Sequence, residues 1–201
     1  MSGRILLLLG LAAFAGPLAA QQHPWSLTPE IGWTHFSGNS RETSGPSGAR
    51  SGGPGTTTSF GLRLGRDLAG FRLGLGLLYA APGLSLADAQ LEVIVRNTFT
   101  LIELAPEASL PLKRFGTGAV LRLHGGAALD LWSAEGESSH LIIGSVGAVS
   151  IELPVTAGTA MQVRYEGLVG GSIFSEGDLP TGFARRRMVR TRLGVGLRIG
   201  I

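Results

Sequence analysis

The chain has 201 residues, a formal net charge of +3 and a charged fraction of only 15%. Soluble domains are about 25% charged, so the composition argues against a large surface in contact with water. The absence of cysteine excludes disulfides, thiolate metal sites, a cysteine nucleophile and a lipid anchor on an N-terminal cysteine. The excess of arginine forms no dense basic patch with interleaved aromatic residues, which argues against nucleic-acid binding.

The first twenty residues have the organisation of a secretory signal peptide. Arg4 supplies the positive charge, residues 5–15 are apolar, and Leu18-Ala19-Ala20 forms a cleavage site before Gln21. The apolar run is too short to cross the roughly 30 Å of a bilayer's hydrocarbon core. We therefore predict a signal peptide over residues 1–20 and one barrel domain over residues 21–201.

Eight later stretches alternate between apolar and polar or small residues, with the period of two that indicates a β-strand. In chain order they are Trp25–Phe36, Thr57–Arg66, Phe71–Tyr79, Leu91–Leu110, Thr117–Trp132, His140–Leu153, Thr159–Phe174 and Arg190–Ile201. The last is the clearest. Its odd positions from Leu193 to Ile201 are all aliphatic, whereas its even positions from Arg192 to Gly200 are only glycine and arginine.

The fourth stretch is the least regular of the eight. Its apolar parity runs through Phe99 and Leu101 and then passes to Ile102 and Leu104. A one-residue β-bulge near Leu101 restores the alternation, because a bulge shifts the parity of one strand.

Short and longer connections alternate strictly between these stretches. The short ones lie at residues 67–70, 111–116 and 154–158, and the longer ones at residues 37–56, 81–89, 133–139 and 175–187. This alternation is typical of an up-and-down barrel in an outer membrane, with short periplasmic turns and longer external loops. With an even number of strands, both chain termini are then expected on the periplasmic side.

The second face of the strands decides between a membrane barrel and a soluble one. A soluble lipocalin-like barrel carries lysine, glutamate, threonine and glutamine outside, whereas this face carries glycine and alanine with spaced arginine, glutamate and aspartate. Small residues suit the narrow interior of an eight-stranded barrel, and a backbone in lipid requires a closed sheet. The prediction is an all-β fold, an eight-stranded antiparallel up-and-down transmembrane β-barrel.

The polar parity also predicts which charges face the lumen. They are Glu30, Arg63, Arg72, Glu103, Glu107, Arg122, Asp130, Glu152, Arg164, Glu166, Arg190, Arg192 and Arg198. Their signs nearly balance, and a buried charge without a partner is costly, so we expect paired networks. Arginine suits such pairs because its planar fork binds a carboxylate through two hydrogen bonds. A filled lumen without an open pore follows.

At this level the chain resembles the small eight-stranded outer-membrane barrels of the OmpA transmembrane-domain and OmpX type. The resemblance covers the whole predicted mature chain and rests on the architecture and on the terminal strand, which ends in Ile201 where an aromatic residue is usual. It implies a monomer in the cell outer membrane, in contact with outer-membrane lipids and lipopolysaccharide and inserted by the assembly machinery, without a cofactor. The implied role is non-enzymatic: envelope integrity, surface interaction or small-solute handling.

Two alternatives stay open. His35 and Ser37 share a parity and are predicted to face outward at the top of the first strand, near the outer-leaflet headgroups. Such a pair resembles the lipid A deacylases, in which a histidine is the base and a serine the nucleophile, although that family carries the pair late in the barrel. The second alternative is a soluble periplasmic barrel that binds an apolar ligand.

Further residues near the strand ends suggest contacts with the membrane. Arg185, Arg186 and Arg187 with Arg190 form a basic run at the outer rim, where they are predicted to bind anionic lipid headgroups or to be a solvated loop end. His124 is predicted to form hydrogen bonds in the lumen, and the histidines lack the spacing of a metal site. Aromatic residues that fit interfacial belts are Trp25, Trp33, Tyr79, Phe115 and Trp132.

Overall fold

The computed structural model describes residues 24–43, 50–87, 92–95, 98–134, 139–175, 177, 179 and 181–201. The predicted signal peptide, residues 1–20, lies outside the described residues. Within them, no helix is long and apolar enough to cross a membrane.

Thirteen strands make up the described part of the chain. They are β1 (Trp25–Ser37), β2 (Ser40–Glu42), β3 (Ser51–Pro54), β4 (Thr57–Asp67), β5 (Arg72–Ala80), β6 (Leu84–Ala87), β7 (Glu92–Val95), β8 (Phe99–Arg114), β9 (Val120–Ala134), β10 (His140–Thr156), β11 (Thr159–Gly170), β12 (Phe183–Arg185) and β13 (Met188–Gly200).

Eight of these strands close into one antiparallel barrel. The order is β1-β4-β5-β8-β9-β10-β11-β13. Each of these eight strands pairs with the barrel strand that comes next along the chain, and β13 pairs with β1 to close the barrel. Trp33 pairs with Leu193 across this closing seam. The predicted eight-stranded up-and-down barrel is confirmed. We call the end with the short β4–β5, β8–β9 and β10–β11 connections the turn end, and the opposite end the loop end.

The loop end carries a second, five-stranded sheet in the order β12-β2-β3-β6-β7. The predicted loops at residues 37–56, 81–89 and 175–187 are therefore partly strands. These strands are only three or four residues long, and residues 37–56 are rich in glycine, serine and proline and lack apolar alternation, so the prediction missed them. The backbone groups of these segments pair with one another across the sheet, and such pairing does not depend on the side chains.

The fourth predicted strand is two strands, β7 and β8, and the bulge near Leu101 is wrong. Buried and exposed residues alternate along β8 from Leu101 to Leu110 without interruption, with Leu101 facing inward. The ladder between β8 and β9 instead shifts register between Pro111 and Lys113. The parity change in the sequence arises because the lumen is apolar at the loop end and charged further down.

The two faces of the barrel wall differ as the sequence predicts. On β13, Leu193 is 54% exposed while its neighbour Arg192 is 1% exposed. Aliphatic and aromatic side chains cover the outside of every barrel strand, and Glu103, Asp130 and Arg164 are buried inside. A soluble barrel with an apolar interior for a ligand would require the reverse arrangement, so that alternative is wrong.

Candidate functional site

The inside of the barrel is filled in layers, and the layer at the loop end is apolar. We call this cluster the apolar plug; it consists of Phe36, Leu78, Ala80, Leu101, Ala128, Trp132, Ile142, Val146, Leu168, Ile173 and Met188, with Phe99 and Phe174 packed against it. Trp132 is 2% exposed, and its ring meets those of Phe36 and Phe99 edge-on at centroid distances of 5.5 and 6.3 Å. Trp132 therefore lies in the plug and not in the interfacial belt where the sequence had suggested it.

Below the plug lies the central network of ion pairs. Its members are Glu30, Arg63, Glu103, Glu107, His124, Asp130, Arg164, Glu166, Arg190 and Arg192. Arg63 shows the pattern: its nitrogens lie 3.2 Å from Glu30, 3.1 Å from Glu107 and 3.7 Å from Glu166. These three acids come from β1, β8 and β11, so one guanidinium joins three parts of the wall.

The other arginines of the central network share the same acids. Arg164 Nη2 lies 2.7 Å from Glu107 and 3.0 Å from Glu166. Arg190 pairs with Glu103 and lies 3.3 Å from Glu166. His124 completes the layer, with Nδ1 3.3 Å from Glu107 Oε1 and Nε2 2.8 Å from Ser150 Oγ.

Glycines on the lumen face make room for these long side chains. A Cβ at Gly32 would lie 2.7 Å from Arg192 Nε, and a Cβ at Gly76 would lie 2.8 Å from Arg63 Nη1. Side chains in an eight-stranded barrel just fill its interior. Glycines therefore occur beside arginines on the lumen face because a larger side chain would occupy the space that the arginines fill.

The lowest layer opens at the turn end and we call it the turn-end chamber. It is a cavity of about 660 Å³ whose charged lining residues are Asp67, Arg72, Arg114, Arg122, Glu152 and Arg198. Arg72 donates to both Asp67 oxygens, at 2.8 and 3.2 Å, and also pairs with Glu152. Arg198 donates to Asp67 Oδ2 at 2.8 Å.

Asp67 is the last residue of β4. Its carboxylate accepts hydrogen bonds from Arg72 and Arg198 and so ties β5 and β13 together at the wall of the turn-end chamber.

The structure separates the four arginines predicted to lie at the outer rim. Arg185, Arg186 and Arg187 are exposed at the loop end, where Arg185 pairs in β12 with Ser40 of β2. Arg190 is 1% exposed and lies in the central network. Arg190 cannot contact a lipid headgroup, because it lies on the lumen-facing parity of β13.

His35 and Ser37 both face outward near the loop end of β1. His35 Nδ1 lies 2.9 Å from Thr56 Oγ1, while Ser37 Oγ donates to the Val189 carbonyl oxygen at 3.3 Å. The described contacts include neither a hydrogen bond between the two nor a carboxylate on His35. The pair shares a face but is not joined as a base and a nucleophile.

Comparison with solved structures places this geometry among known folds. No protein-family model and no curated protein sequence matches the chain. Neisserial surface protein A is similar with a TM-score of 0.63 and 12% identity over 89% of this chain and 97% of that one. OprG from Pseudomonas aeruginosa is similar with a TM-score of 0.53 and 9% identity over 90% and 98%. The fold is that of the small eight-stranded outer-membrane β-barrels.

The outer-membrane protease OmpT from Escherichia coli is also similar, with a TM-score of 0.37 and 9% identity over 93% of this chain and 100% of that chain. A likeness of that size carries no argument about activity. The described residues of this barrel contain no group of three or more histidine, aspartate or glutamate side chains arranged to hold a metal ion.

The alternation in the sequence predicts the lumen charges of this barrel but not its apolar plug. The available indication was a series of apolar doublets at the loop ends of the strands, where both parities are hydrophobic. They are Leu77-Leu78, Leu131-Trp132, Ile142-Ile143, Leu168-Val169 and Met188-Val189. In each doublet one residue is buried and the other faces outward or is only partly covered.

Proposed function

We propose that this protein is a non-enzymatic barrel of a Gram-negative-type outer membrane. Its lumen is closed and it acts through its loop-end surface, in surface attachment or envelope integrity. The proposal rests on an apolar outer belt combined with an interior that is filled by the apolar plug and by the central network of ion pairs.

The outer belt supports a position in a bilayer. Isoleucine, leucine and tyrosine side chains such as Ile31, Tyr165 and Leu193 are each more than half exposed on the barrel wall. A soluble monomer rarely exposes a contiguous apolar patch beyond a few hundred Å². Aromatic side chains flank the belt, as at Trp25, whose ring lies 5.2 Å from the Arg66 guanidinium near the turn end.

Fractionation of cells that express the full chain tests this position. We expect the protein in the outer-membrane fraction, where detergent and not salt or alkali releases it. Recovery in the periplasmic soluble fraction would contradict the proposal.

The filled lumen supports a role other than conduction. The apolar plug and the central network each block the barrel, and the network crosses it with ion pairs such as Arg164–Glu107 at 2.7 Å. We expect no porin-sized current from the purified protein in a planar bilayer. A steady conductance of porin size, abolished by denaturing the protein, would refute a closed lumen.

The loop-end arginines support a role at the cell surface. Arg41, Arg50, Arg185, Arg186 and Arg187 are all exposed there. Guanidinium groups bind phosphate oxygens through paired charge-assisted hydrogen bonds, so the chemistry favours the phosphates of lipopolysaccharide as the contact.

Binding of fluorescent lipopolysaccharide to the detergent-solubilised protein tests this contact. We expect the triple variant Arg185→Ala/Arg186→Ala/Arg187→Ala to bind at least several-fold more weakly than the wild type. Arg66→Ala/Lys113→Ala removes exposed positive charges at the turn end, away from the loop-end arginines, and should bind as the wild type does. Equal binding by the wild type and the loop-end variant would refute the contact.

The separate contacts of His35 and Ser37 support the absence of a deacylase activity. A nucleophilic serine needs its base within hydrogen-bond reach, whereas the Ser37 hydroxyl is directed at a backbone carbonyl. We expect no release of fatty acid from lipid A by the purified protein. Release that is lost in both His35→Ala and Ser37→Ala would establish the enzyme instead.

A further inference from the structure

The turn-end chamber differs from the rest of the lumen in its charge balance. Four guanidinium groups line it, those of Arg72, Arg114, Arg122 and Arg198, against the two carboxylates of Asp67 and Glu152. The central network above it has no such positive excess, because five acidic side chains face four arginines there. The positive excess of the described lumen is therefore concentrated at its open end.

The two acids of the chamber are already shared among three arginines. Arg72 contacts both Asp67 and Glu152, Arg198 contacts Asp67, and Arg122 lies 3.3 Å from Glu152 and 3.8 Å from Asp67. Three guanidinium groups carry fifteen N–H donors, and two carboxylates cannot accept all of them. The positive groups consequently outnumber the acceptors that the wall supplies.

An unused donor is visible at one of these arginines. Arg198 Nε is buried and makes no hydrogen bond within the described residues, whereas Arg122 Nε faces Glu152 at 3.3 Å. A buried donor without an acceptor costs free energy. The guanidinium groups of the chamber also repel one another. An anion in the cavity would supply hydrogen-bond acceptors and would reduce this repulsion.

The volume and position of the chamber restrict what enters it. A cavity of about 660 Å³ lies within the range of small-molecule sites, roughly 300–1,000 Å³. It opens at the turn end, between the short connections at residues 67–70 and 157–158. The central network closes its inner wall, so a ligand that enters does not pass through the barrel.

From this arrangement we propose that the turn-end chamber is a binding site for a small oxyanion with two or more negative charges, of the phosphate type. Arg198 provides a buried donor, Arg122 adds a second guanidinium group in the chamber wall, and Arg114 at the rim adds charge that attracts the anion. The site is a dead end and takes its ligand from the compartment that the turn end faces. It does not depend on the loop-end contact proposed above.

Calorimetric titration of the full chain, folded in detergent, tests the site with pyrophosphate as the probe at constant ionic strength. We expect saturable binding of about one pyrophosphate per chain. Citrate in a parallel titration distinguishes a site for any multivalent oxyanion from one that requires phosphate; tighter binding of pyrophosphate supports the phosphate type.

Variants assign the binding to the chamber. Arg198→Gln should weaken pyrophosphate binding about tenfold or more, the usual effect of losing a hydrogen bond to a charged group. Arg114→Gln, at an exposed rim position that does not hold the wall together, should weaken it by a smaller factor. Circular dichroism verifies that both variants are folded.

Arg66→Gln is the matched control, because Arg66 carries the same charge near the same end but lies on the outer face over Trp25. It should bind pyrophosphate as the wild type does. Absence of saturable binding to the wild type overturns the proposal, as does a loss in Arg66→Gln equal to that in Arg198→Gln, since the attraction would then be a general surface effect.

Discussion

Arg190 is the arginine on which the upper part of the central network depends. Glu103 of β8 and Asp130 of β9 are direct cross-strand partners that both face the lumen, and like charges placed opposite each other are destabilising. Arg190 reaches across from β13 to pair with Glu103, and its nitrogens lie 3.8 Å from Asp130 and 3.3 Å from Glu166. The guanidinium therefore lies against three buried acidic side chains at once.

We predict that Arg190→Gln lowers the free energy of unfolding by about 3–5 kcal/mol, the cost of breaking a buried pair from one side. With a urea dependence of about 2 kcal/mol per molar, the unfolding midpoint falls by roughly 2 M. Tryptophan fluorescence during urea unfolding of the protein in lipid vesicles measures this change. Arg66→Gln, which removes an exposed arginine from the outer wall, should shift the midpoint little.

The double variant Glu103→Gln/Arg190→Gln separates the ion pair from a packing defect. It removes one of the carboxylates that Arg190 leaves behind, so it should be less destabilised than the sum of the two single variants. The reasoning is refuted if Arg190→Gln costs less than about 1 kcal/mol, as for an exposed pair, or if the two single effects simply add.

Three further substitutions test the other layers of the barrel by the same unfolding measurement. Trp132→Ala should cost about 3–5 kcal/mol, because it leaves a cavity in the apolar plug; a cost below about 1 kcal/mol would show that the plug is not packed. Val195→Arg, at a half-exposed position midway along β13, should cost about 2–4 kcal/mol in lipid, and an unchanged midpoint would exclude contact with acyl chains. Gly196→Ala should cost about 1–3 kcal/mol, because its Cβ would lie 2.8 Å from the Pro29 carbonyl oxygen, whereas Gly147→Ala, whose nearest neighbour would lie 4.0 Å away, should be nearly neutral.

The barrel itself follows from local sequence. The alternation from Arg192 to Ile201 fixes both the strand and its two environments, because a period of two sends successive side chains to opposite faces. The alternating lengths of the connections then specify the up-and-down order. Strand alternation and connection length depend only on residues close together in the sequence, so they can be predicted without knowing which residues meet across the lumen.

The interior of the barrel follows only in part, because its partners come from distant strands. The parity assigns Glu103, Asp130 and Arg190 to the lumen, but the closing register decides that Arg190 meets both acids. The same register decides that Trp132 packs on Phe36 inside the barrel. Apolar residues on both parities are ambiguous in sequence, since an outward-facing leucine and a leucine of the plug are chemically identical.

The preference for arginine over lysine in this chain follows from the geometry of the lumen. Arg63 contacts acids of three strands simultaneously, which requires several donors in fixed directions; a lysine ammonium is a compact point charge on a flexible stem. A long guanidinium side chain in so narrow a space also needs its neighbours to be small, and a Cβ at Gly32, Gly61 or Gly76 would meet an arginine within 3.3 Å. The many glycines, the many arginines and the single lysine thus share one cause: a closed barrel whose wall is held together by charges on the inside and is apolar on the outside.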